Sequence, residues 1–353
     1  MSDIFKDMLK AEESLFLDAN ILDPDFIPPV IEGREDEQQW IASCIKPLFD
    51  GRSGRNAFIS GSPGIGKTLA VRYLLQELEK ETQDIFPVYV NCWKKDSSHK
   101  IVLAICEALG YTFVQGRNIG ELLNEVAKLV AQKAAVVVLD EADKILDESI
   151  LYQILEEASP VSLLLVSNDK DYLSALDERI LSRMHAEEIR FDPYNFEETY
   201  EILRKRVHHA FVPNVFEKDA FDKIAGKAFE LHDIRVGLFL LKEAGEQAEA
   251  QASRKILLKH AEMAIAKLSQ FKIRSSDTLN EDDQMLLELI KKHSGITMSE
   301  LYALYKRKGH GETYRTFNRK VDTLAKQRVI SKKTVTVYPG RTTKLYYGSL
   351  APK

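Results

Sequence analysis

At 353 residues, the chain is long enough for two or three domains, each with its own hydrophobic core. Its 44% hydrophobic and 29% charged residues are ordinary for a globular protein, and no apolar run approaches a membrane span. The first residues mix charges early and lack the layout of a signal peptide. Three cysteines without a C-x-x-C spacing indicate neither a disulfide framework nor a zinc site. We therefore expect a reducing, intracellular setting and no membrane partner.

The charge is unevenly distributed along the chain. Residues 301–353 carry 13 Lys or Arg and only two acids, Glu312 and Asp322, which gives +11 for this segment. Because the whole chain has a net charge of −5, the first 300 residues sum to −16. This asymmetry indicates a C-terminal module with an anionic partner. The alternative is a basic face that is only solvated surface.

The first strong motif follows an N-terminal lead-in, residues 1–30, and an amphipathic helix predicted from Glu32 to Leu48. A short apolar strand at 56–60 leads into Gly61–Thr68, which fits the spacing G-x-x-x-x-G-K-[ST]. The helix-periodic stretch 68–79 comes next, so a helix N-terminus faces the loop. This order predicts a phosphate-binding loop rather than a chance glycine turn.

Each residue type in this loop has a physical role. Its glycines can take backbone angles that a side chain forbids, so that successive amides point at phosphate oxygens. Lys67 is expected to contact the outer phosphates, and the Thr68 hydroxyl to ligate Mg²⁺. The predicted nucleotide-binding residues here are Gly61, Ser62, Pro63, Gly64, Ile65, Gly66, Lys67, Thr68 and Leu69.

Apolar strands then alternate with helices, which indicates an α/β domain with a parallel sheet covered on both faces. Strands are predicted at 86–91, 135–141 and 162–169, and helices at about 98–109 and 119–132. The strand at 135–141 ends in Asp140 and Glu141. Beside a phosphate loop, we expect Asp140 to support the Mg²⁺ ion and Glu141 to deprotonate the attacking water.

Two further polar residues complete this core. Asn168, at the tip of the next strand, is expected to sense the γ-phosphate or position the water, because its amide both donates and accepts. A turn-forming Asn without a partner is the alternative. Arg183 is predicted to be an arginine finger that enters the site of an adjacent subunit, with Arg179 as the local alternative. A surface arginine in an ion pair is a competing interpretation.

From Asp192 the pattern becomes all-helical, with helices near 196–209, 217–229, 233–248 and 254–268. Tyr194 lies at the junction and is expected to pack on an adenine ring, although a tyrosine at the edge of the core fits equally well. Arg235, near the start of a helix, is expected to reach back over the phosphates. A polar linker is predicted at 271–280.

The C-terminal module has the layout of a winged helix-turn-helix. Its helices are predicted at 281–293, 299–306 (with Ser299 as cap) and 312–328, before alternating strands at 329–337 and 342–347. The third helix places Tyr314, Phe317, Val321 and Leu324 on its inner face. Winged helices also dock proteins, but the basic charge favours DNA. The predicted DNA contacts are Arg315, Thr316, Arg319, Lys320, Arg341 and Lys344.

Together these features resemble the AAA+ class of P-loop ATPases. More narrowly, nearly the full length resembles the archaeal replication-initiator family of the origin-recognition/cell-division-cycle type. The segments that carry the resemblance are GREDE (33–37), GSPGIGKT (61–68), YVN (89–91), LDEAD (139–143), DERILSRM (177–184), DPYNFEETYEIL (192–203) and IRVGLFLLKEAGEQAE (234–249). It implies that Tyr194 and Arg206 contact nucleotide and that Arg235 is a second sensor.

The expected domains are an AAA+ α/β core at 1–192, a helical lid at 193–270 and a winged helix at 277–353. The expected function is an ATP-binding, slowly ATP-hydrolysing replication initiator, with ATP or ADP and Mg²⁺ between core and lid. Its expected partners are double-stranded origin DNA and a replicative helicase or initiator paralogues. The protein is expected to be cytoplasmic and nucleoid-associated, and to assemble on DNA from a monomer. The alternatives are an ATP-switched transcription regulator and a helper ATPase of a plasmid or mobile element.

Overall fold

The computed structural model describes residues 14–277, 281–293, 295–307, 313–326, 330–337 and 340–347. The chain forms two compact units, with the division between Ala264 and Ile265. Among the described residues, no helix has the length and apolar character needed to cross a membrane. The three-domain division predicted from the sequence stays a prediction.

The first unit is built on a five-stranded sheet in the order β2-β3-β4-β1-β5, with all strands parallel. Every residue of β3 and β4 is buried, as expected for central strands covered on both faces. The strands are β1 (Ala57–Gly61), β2 (Ile85–Asn91), β3 (Ala134–Asp140), β4 (Val161–Ser167) and β5 (Glu187–Phe191). Their parallel direction brings the carboxyl ends of β1, β3 and β4 to one edge.

Helices cover both faces of this sheet, and the alternation of strand side chains separates two cores. Val136 and Val138 of β3 face one core, whereas Val137 and Leu139 face the other. The first core contains α1 (Glu35–Ile45) and α2 (Lys67–Glu81). The second contains α3 (Ser98–Ala108), α4 (Ile119–Gln132), α5 (Ser149–Glu157), α6 (Tyr172–Ala175) and α7 (Glu178–Met184).

The sequence patterns predict most of these elements, with two differences. The first helix begins at Glu35 rather than Glu32, after Gly33 at φ +66°, and a 3-10 helix replaces its end at Lys46–Asp50. Pro47 explains that change, because it lacks an N–H for the α-helical ladder. The patterns also do not indicate α5, α6, α7 and β5, which are short; edge strand β5 buries only Ile189 and Phe191.

A helical lid follows the sheet within the first unit. It comprises α8 (Phe196–Ala210), α9 (Lys218–Glu230), α10 (Ile234–Ala250) and the start of α11 (Leu258–Asp277). The predicted linker at 271–280 is wrong for 271–277, which belong to α11. Residues 258–277 contain neither Gly nor Pro, so nothing local interrupts the helix. Residues 278–280 lie outside the described residues.

The second unit contains three helices and a three-stranded antiparallel sheet in the order β6-β8-β7. Its elements are α12 (Glu281–Lys292), β6 (Ile296–Thr297), α13 (Met298–Arg307), α14 (Tyr314–Lys326), β7 (Ile330–Val337) and β8 (Gly340–Tyr347). The predicted order of helices and hairpin is therefore present. Phe317, Val321 and Leu324 of α14 are fully buried in its core.

Two expectations for this unit are wrong. Tyr314 is 46% exposed rather than buried, because it is the first residue of α14. Its ring still packs edge-on against Tyr302, with ring centroids 5.0 Å apart. The cap of α13 is Thr297 rather than Ser299, because the helix begins at Met298, one residue before the predicted start. Thr297 Oγ1 accepts from the Glu300 amide at 3.3 Å, and the Glu300 carboxylate accepts from the Thr297 amide at 3.0 Å, which forms a capping box.

Candidate functional site

The glycine-rich segment between β1 and α2 forms a tight loop at the N-terminus of α2. Gly61, Gly64 and Gly66 have φ of 154°, 81° and 92°, a region that side chains disfavour. Space is also restricted, because a Cβ atom on Gly66 would lie 2.7 Å from the Tyr194 hydroxyl, and one on Gly64 would collide with the Asp233 carboxylate. Gly66 supplies no side-chain cap to α2. The first turn of α2 therefore suits an anion.

Lys67 lies under this loop with only 6% of its surface exposed. Its ammonium donates to the carbonyl oxygens of Gly61 and Ser62, both at 2.8 Å, and to Asn168 Oδ1 at 2.9 Å. Burial lowers the pKa of Lys67 to about 8, although the nearby carboxylates oppose this shift. Because an ammonium has three N–H donors and all three are used here, Lys67 must exchange at least one of these contacts to donate to a phosphate.

Asp140, at the end of β3, is 2% exposed and accepts three hydrogen bonds. Thr68 Oγ1 and the Tyr89 hydroxyl donate to its Oδ2 at 2.9 and 2.7 Å, and the Glu141 amide donates to Oδ1 at 2.9 Å. Burial and the Asp140 carboxylate raise the pKa of Tyr89. The Thr68 hydroxyl and the Asp140 carboxylate, the two groups predicted to bind the metal ion, are thus neighbours.

This pair of oxygen donors fits a magnesium ion. Mg²⁺ prefers one or two protein oxygens together with water and substrate phosphates, rather than a cage made only of protein. Among the described residues, no group of three or more His, Cys, Asp and Glu side chains could bind a metal. A site in which Thr68 and Asp140 share the ion with nucleotide phosphates fits the preference of Mg²⁺.

Glu141 and Asn168 form a second hydrogen-bonded pair beside Lys67. Asn168 follows β4 directly, and its Nδ2 donates to both carboxylate oxygens of Glu141, at 2.8 and 2.7 Å. Glu141 itself has a left-handed backbone, with φ +55°, a conformation uncommon for non-glycine residues and found at functional sites. Because Asn168 also accepts from Lys67, one amide links the candidate base to the candidate phosphate-binding cation.

The N-terminus of α10 closes the loop from the lid side. The Ile234 amide donates to the Gly64 carbonyl oxygen at 3.1 Å. Arg235 makes a two-point contact with Asp233, at 3.0 and 2.8 Å, and this contact raises the pKa of Arg235. The guanidinium of Arg235 is thus bound to Asp233, and its predicted contact with the phosphates stays a prediction.

A cleft of about 1160 Å³ joins these groups, which is enough for a nucleoside triphosphate. Pro63, Gly64 and Leu69 line it, whereas Gly61, Ser62 and Ile65 do not. Ile65 belongs instead to the hydrophobic core. The functional groups that line the cleft are Lys67, Thr68, Tyr89, Asp140, Glu141, Asn168 and Arg235.

Tyr194 and Arg206 also line the cleft, but each contacts other protein groups. The Arg34 guanidinium lies 3.9 Å from the Tyr194 ring centroid, and burial raises the pKa of the Tyr194 hydroxyl. Arg206 is 7% exposed and donates to the carbonyl oxygens of Ile21 at 2.9 Å and Phe26 at 3.4 Å. Arg206 thus holds a segment that forms one wall. Direct nucleotide contact by either residue stays a prediction.

Arg34 is a site residue to which the sequence patterns assign no role. It is 4% exposed, and its guanidinium donates to the carbonyl oxygens of Ile65, at 3.2 and 3.1 Å, and Asp192, at 2.6 Å. It also pairs with Glu37 at 2.8 Å. Arg34 therefore connects the phosphate loop to the start of the lid. The sequence marks Arg34 only through its position in GREDE (33–37). Because arginines are mostly exposed, nothing in the pattern of apolar residues indicates that this one is buried.

Arg183 lies on α7 and does not line the cleft of its own chain. Its Nη1 donates to the Tyr152 hydroxyl at 3.1 Å, its guanidinium lies 4.9 Å from that ring, and Glu156 is 3.6 Å away. Arg179 is more exposed, at 84% of its side chain, and pairs with Asp177. A role for Arg183 in a neighbouring subunit stays a prediction.

The predicted DNA contacts lie on α14 and β8 of the second unit. Arg319 is exposed, whereas Thr316, Lys320 and Lys344 are half-buried. The Lys320 ammonium donates to the hydroxyl of buried Tyr305 at 3.3 Å. The side chains of Arg315 and Arg341 lie outside the described part of the structure.

The strand order, the phosphate loop, the acidic end of β3 and the helical lid define a P-loop ATPase of the AAA+ class. Residues 51–176 match the family described as an AAA domain. Residues 200–266 match the Cdc6 AAA+ ATPase-type lid domain. The predicted ATPase class and the predicted α/β core with a helical lid are therefore confirmed.

Within that class, the chain belongs to the family of ORC1-type DNA replication proteins. It is 32% identical over 304 residues to ORC1-type DNA replication protein 2 of Archaeoglobus fulgidus, covering 84% of this chain and 81% of that protein. It is 30% identical over 345 residues to ORC1-type DNA replication protein 2 of Methanothermobacter thermautotrophicus, covering 92% and 89%. The replication-initiator family predicted from the sequence is confirmed.

Solved structures agree with this assignment. The Aeropyrum pernix ORC1 protein, solved in complex with DNA, superposes with a TM-score of 0.76 at 26% identity, covering 96% of this chain and 94% of that one. The Aeropyrum pernix ORC2 protein, solved as ADPNP–ADP complexes, has a TM-score of 0.66 at 21% identity, covering 96% and 95%. The second similarity concerns the fold alone.

Proposed function

We propose that this chain is a replication initiator in which Mg²⁺-bound ATP or ADP in the cleft controls binding to double-stranded origin DNA. The observation that carries the proposal is the convergence of Lys67, Asp140 and Glu141 on one cleft beneath a helical lid. The complex of the Aeropyrum pernix ORC1 protein with DNA supports DNA as the target. The proposed further partners are a replicative helicase and initiator paralogues. The proposed place of action is the nucleoid, in the cytoplasm.

In this proposal the phosphate-binding groups act by charge and position. Lys67 binds the outer phosphates, and the first-turn amides of α2 contribute partial positive charge. Thr68 and Asp140 hold Mg²⁺, which neutralises charge on the phosphates when bound. Arg235 joins them by exchanging its contact with Asp233 for a phosphate oxygen, which couples the lid to the nucleotide.

Hydrolysis requires a base and an oriented water. Glu141 accepts the proton of the attacking water, and Asn168 orients Glu141 through the two hydrogen bonds described above. Arg183 does not line the cleft of its own chain, so we assign it to the site of a neighbouring protomer. An isolated monomer therefore hydrolyses ATP slowly and acts as a switch.

Replacing Arg183 by alanine should leave ATP affinity unchanged and lower DNA-stimulated hydrolysis by about 10²-fold or more, because a finger arginine stabilises transition-state charge. The measurement is ATP turnover against protein concentration, with and without DNA. Arg179→Ala, one helical turn away, tests the local alternative and should keep the parental DNA-stimulated rate. If Arg183→Ala lowers the turnover of isolated protomers by the same factor as the turnover of the assembled protein, a role in a neighbour's site is contradicted.

Replacing Arg319 by alanine should weaken binding to duplex DNA by about 5- to 30-fold at low salt and reduce the salt slope by about one. Arg319 is preferable to Lys320, because the Lys320 contact with Tyr305 also supports the core. Fluorescence anisotropy across a salt titration measures both quantities. Lys292→Ala, on α12 of the same unit, controls for loss of charge. Equal weakening by the two variants would contradict docking through α14.

The proposed role is tested directly by footprinting the protein across its genome with ATP present. We expect protection concentrated at repeats within a replication origin. Protection mainly at promoters, or binding without sequence preference, would contradict the initiator role and favour a transcription regulator or a helper ATPase, respectively.

A further inference from the structure

Tyr89 is a polar cleft residue that the mechanism above does not use. It lies on β2, two residues before the strand ends, and its ring is half-buried along the cleft. Its hydroxyl donates to Asp140 Oδ2 at 2.7 Å, a short distance typical of a charge-assisted bond. A phenol on a neighbouring strand thus contacts the carboxylate expected to support the metal ion.

The bond completes a set of three donors around Asp140. Thr68 Oγ1 shares Oδ2 with Tyr89, and the Glu141 amide binds Oδ1. A carboxylate offers about four acceptor positions. Three fixed donors from three different segments therefore define the carboxylate plane and leave about one position for a metal shell.

Without Tyr89, this carboxylate would keep donors only from α2 and from its own chain neighbour. Neither comes from the β2 side. Because a metal site needs its ligands held to a narrow range of positions, outer partners of a ligand tune metal affinity strongly, about 10- to 100-fold in known sites.

We propose that Tyr89 is a positioning residue for Mg²⁺, whose hydroxyl fixes the Asp140 carboxylate in the orientation that the ion requires. The proposal rests on the function proposed above. It assigns to Tyr89 an effect on the coupling between Mg²⁺ and ATP rather than on ATP contact itself.

Tyr89→Phe removes the hydroxyl and keeps the ring. With a fluorescent ATP analogue as probe, affinity in EDTA should stay within about twofold of the parent, because no phosphate-binding group changes. In a Mg²⁺ titration, the concentration that gives half of the affinity gain should rise about 3- to 10-fold. Tyr200→Phe is the matched control, since it removes a Tyr–Asp bond of 3.0 Å, to Asp222, between lid helices.

A double-mutant cycle separates positioning from general destabilisation. In the Asp140→Asn background, the effect of Tyr89→Phe on the Mg²⁺ titration should disappear. A Mg²⁺ response of Tyr89→Phe equal to that of the parent, or an undiminished effect in the Asp140→Asn background, would overturn the proposal while leaving the proposed function intact. A parent that gains no ATP affinity with Mg²⁺ would instead refute the proposed metal site, and this inference with it.

Discussion

Replacing Glu141 by glutamine is expected to lower the rate of ATP hydrolysis by about 10²- to 10⁴-fold, the usual contribution of a general base. ATP binding should persist, because Lys67 and the phosphate loop are unchanged. In the parent, Asn168 Nδ2 donates to both oxygens of Glu141. Glutamine preserves the shape of the side chain, but it replaces one of these oxygens by an amide nitrogen, which cannot accept from Asn168. Single-turnover hydrolysis and equilibrium ATP binding, measured on the same preparation, separate the two effects.

The control for this variant is Glu157→Gln, an exposed residue at the end of α5. It removes the same charge from the first unit without touching the cleft. Turnover by Glu141→Gln close to the parental rate would remove Glu141 from the role of base. A parallel loss of ATP affinity would show that Glu141 acts instead by supporting the Lys67–Asn168 network.

Replacing Lys67 by alanine is expected to weaken ATP binding by about 10²-fold or more, because it removes a buried cation that the phosphates would otherwise meet. The variant also leaves the carbonyl oxygens of Gly61 and Ser62 without their donor, so the loop itself loses support. Equilibrium binding of a fluorescent ATP analogue measures the effect. Lys80→Ala, in the last turn of the same helix, should bind as the parent does.

The Lys67 site also predicts a pH dependence of ATP affinity. Burial lowers the pKa of this ammonium to about 8 in the nucleotide-free protein. Phosphates favour the charged form, so affinity should be constant below about pH 8 and fall towards tenfold per unit above it, where binding must take up a proton. Lys67→Arg should lack this step, because a guanidinium stays charged. A flat profile for the parent up to about pH 9.5 would contradict the lowered pKa.

The chemical groups of the site follow from short motifs, because each lies within a few residues of a strand end. Backbone geometry fixes where such residues point once strand and helix are recognised, as for Lys67 after β1 and Asp140 after β3. The parallel sheet then brings these ends together. Asn168 was predicted for the same reason, and its contacts with Lys67 and Glu141 show that the strand ends do meet.

Elements with weak periodicity could not be predicted in this way. Edge strand β5 and short helices α5 to α7 depend on burial against segments distant in the chain. Tyr314 shows the opposite error, since its helical spacing fits the inner face of α14 while its position at the first turn leaves it 46% exposed. Periodicity identifies a face of a helix, but it does not say how far along the helix the core extends.

The sequence alone determined the class of chemistry and the family. The phosphate loop, the acidic end of β3 and the lid segments are each local in the chain, and their order along the chain can be read directly. The tertiary structure decided which groups hold those motifs in place. Arg34 binds the loop from 31 residues away and Tyr89 binds Asp140 from 51 residues away. Both lie in segments that carry the family resemblance, GREDE and YVN, but neither segment indicates the partner of its side chain. A hydrogen bond between distant segments exists only once the chain has folded, so its partners are visible only there.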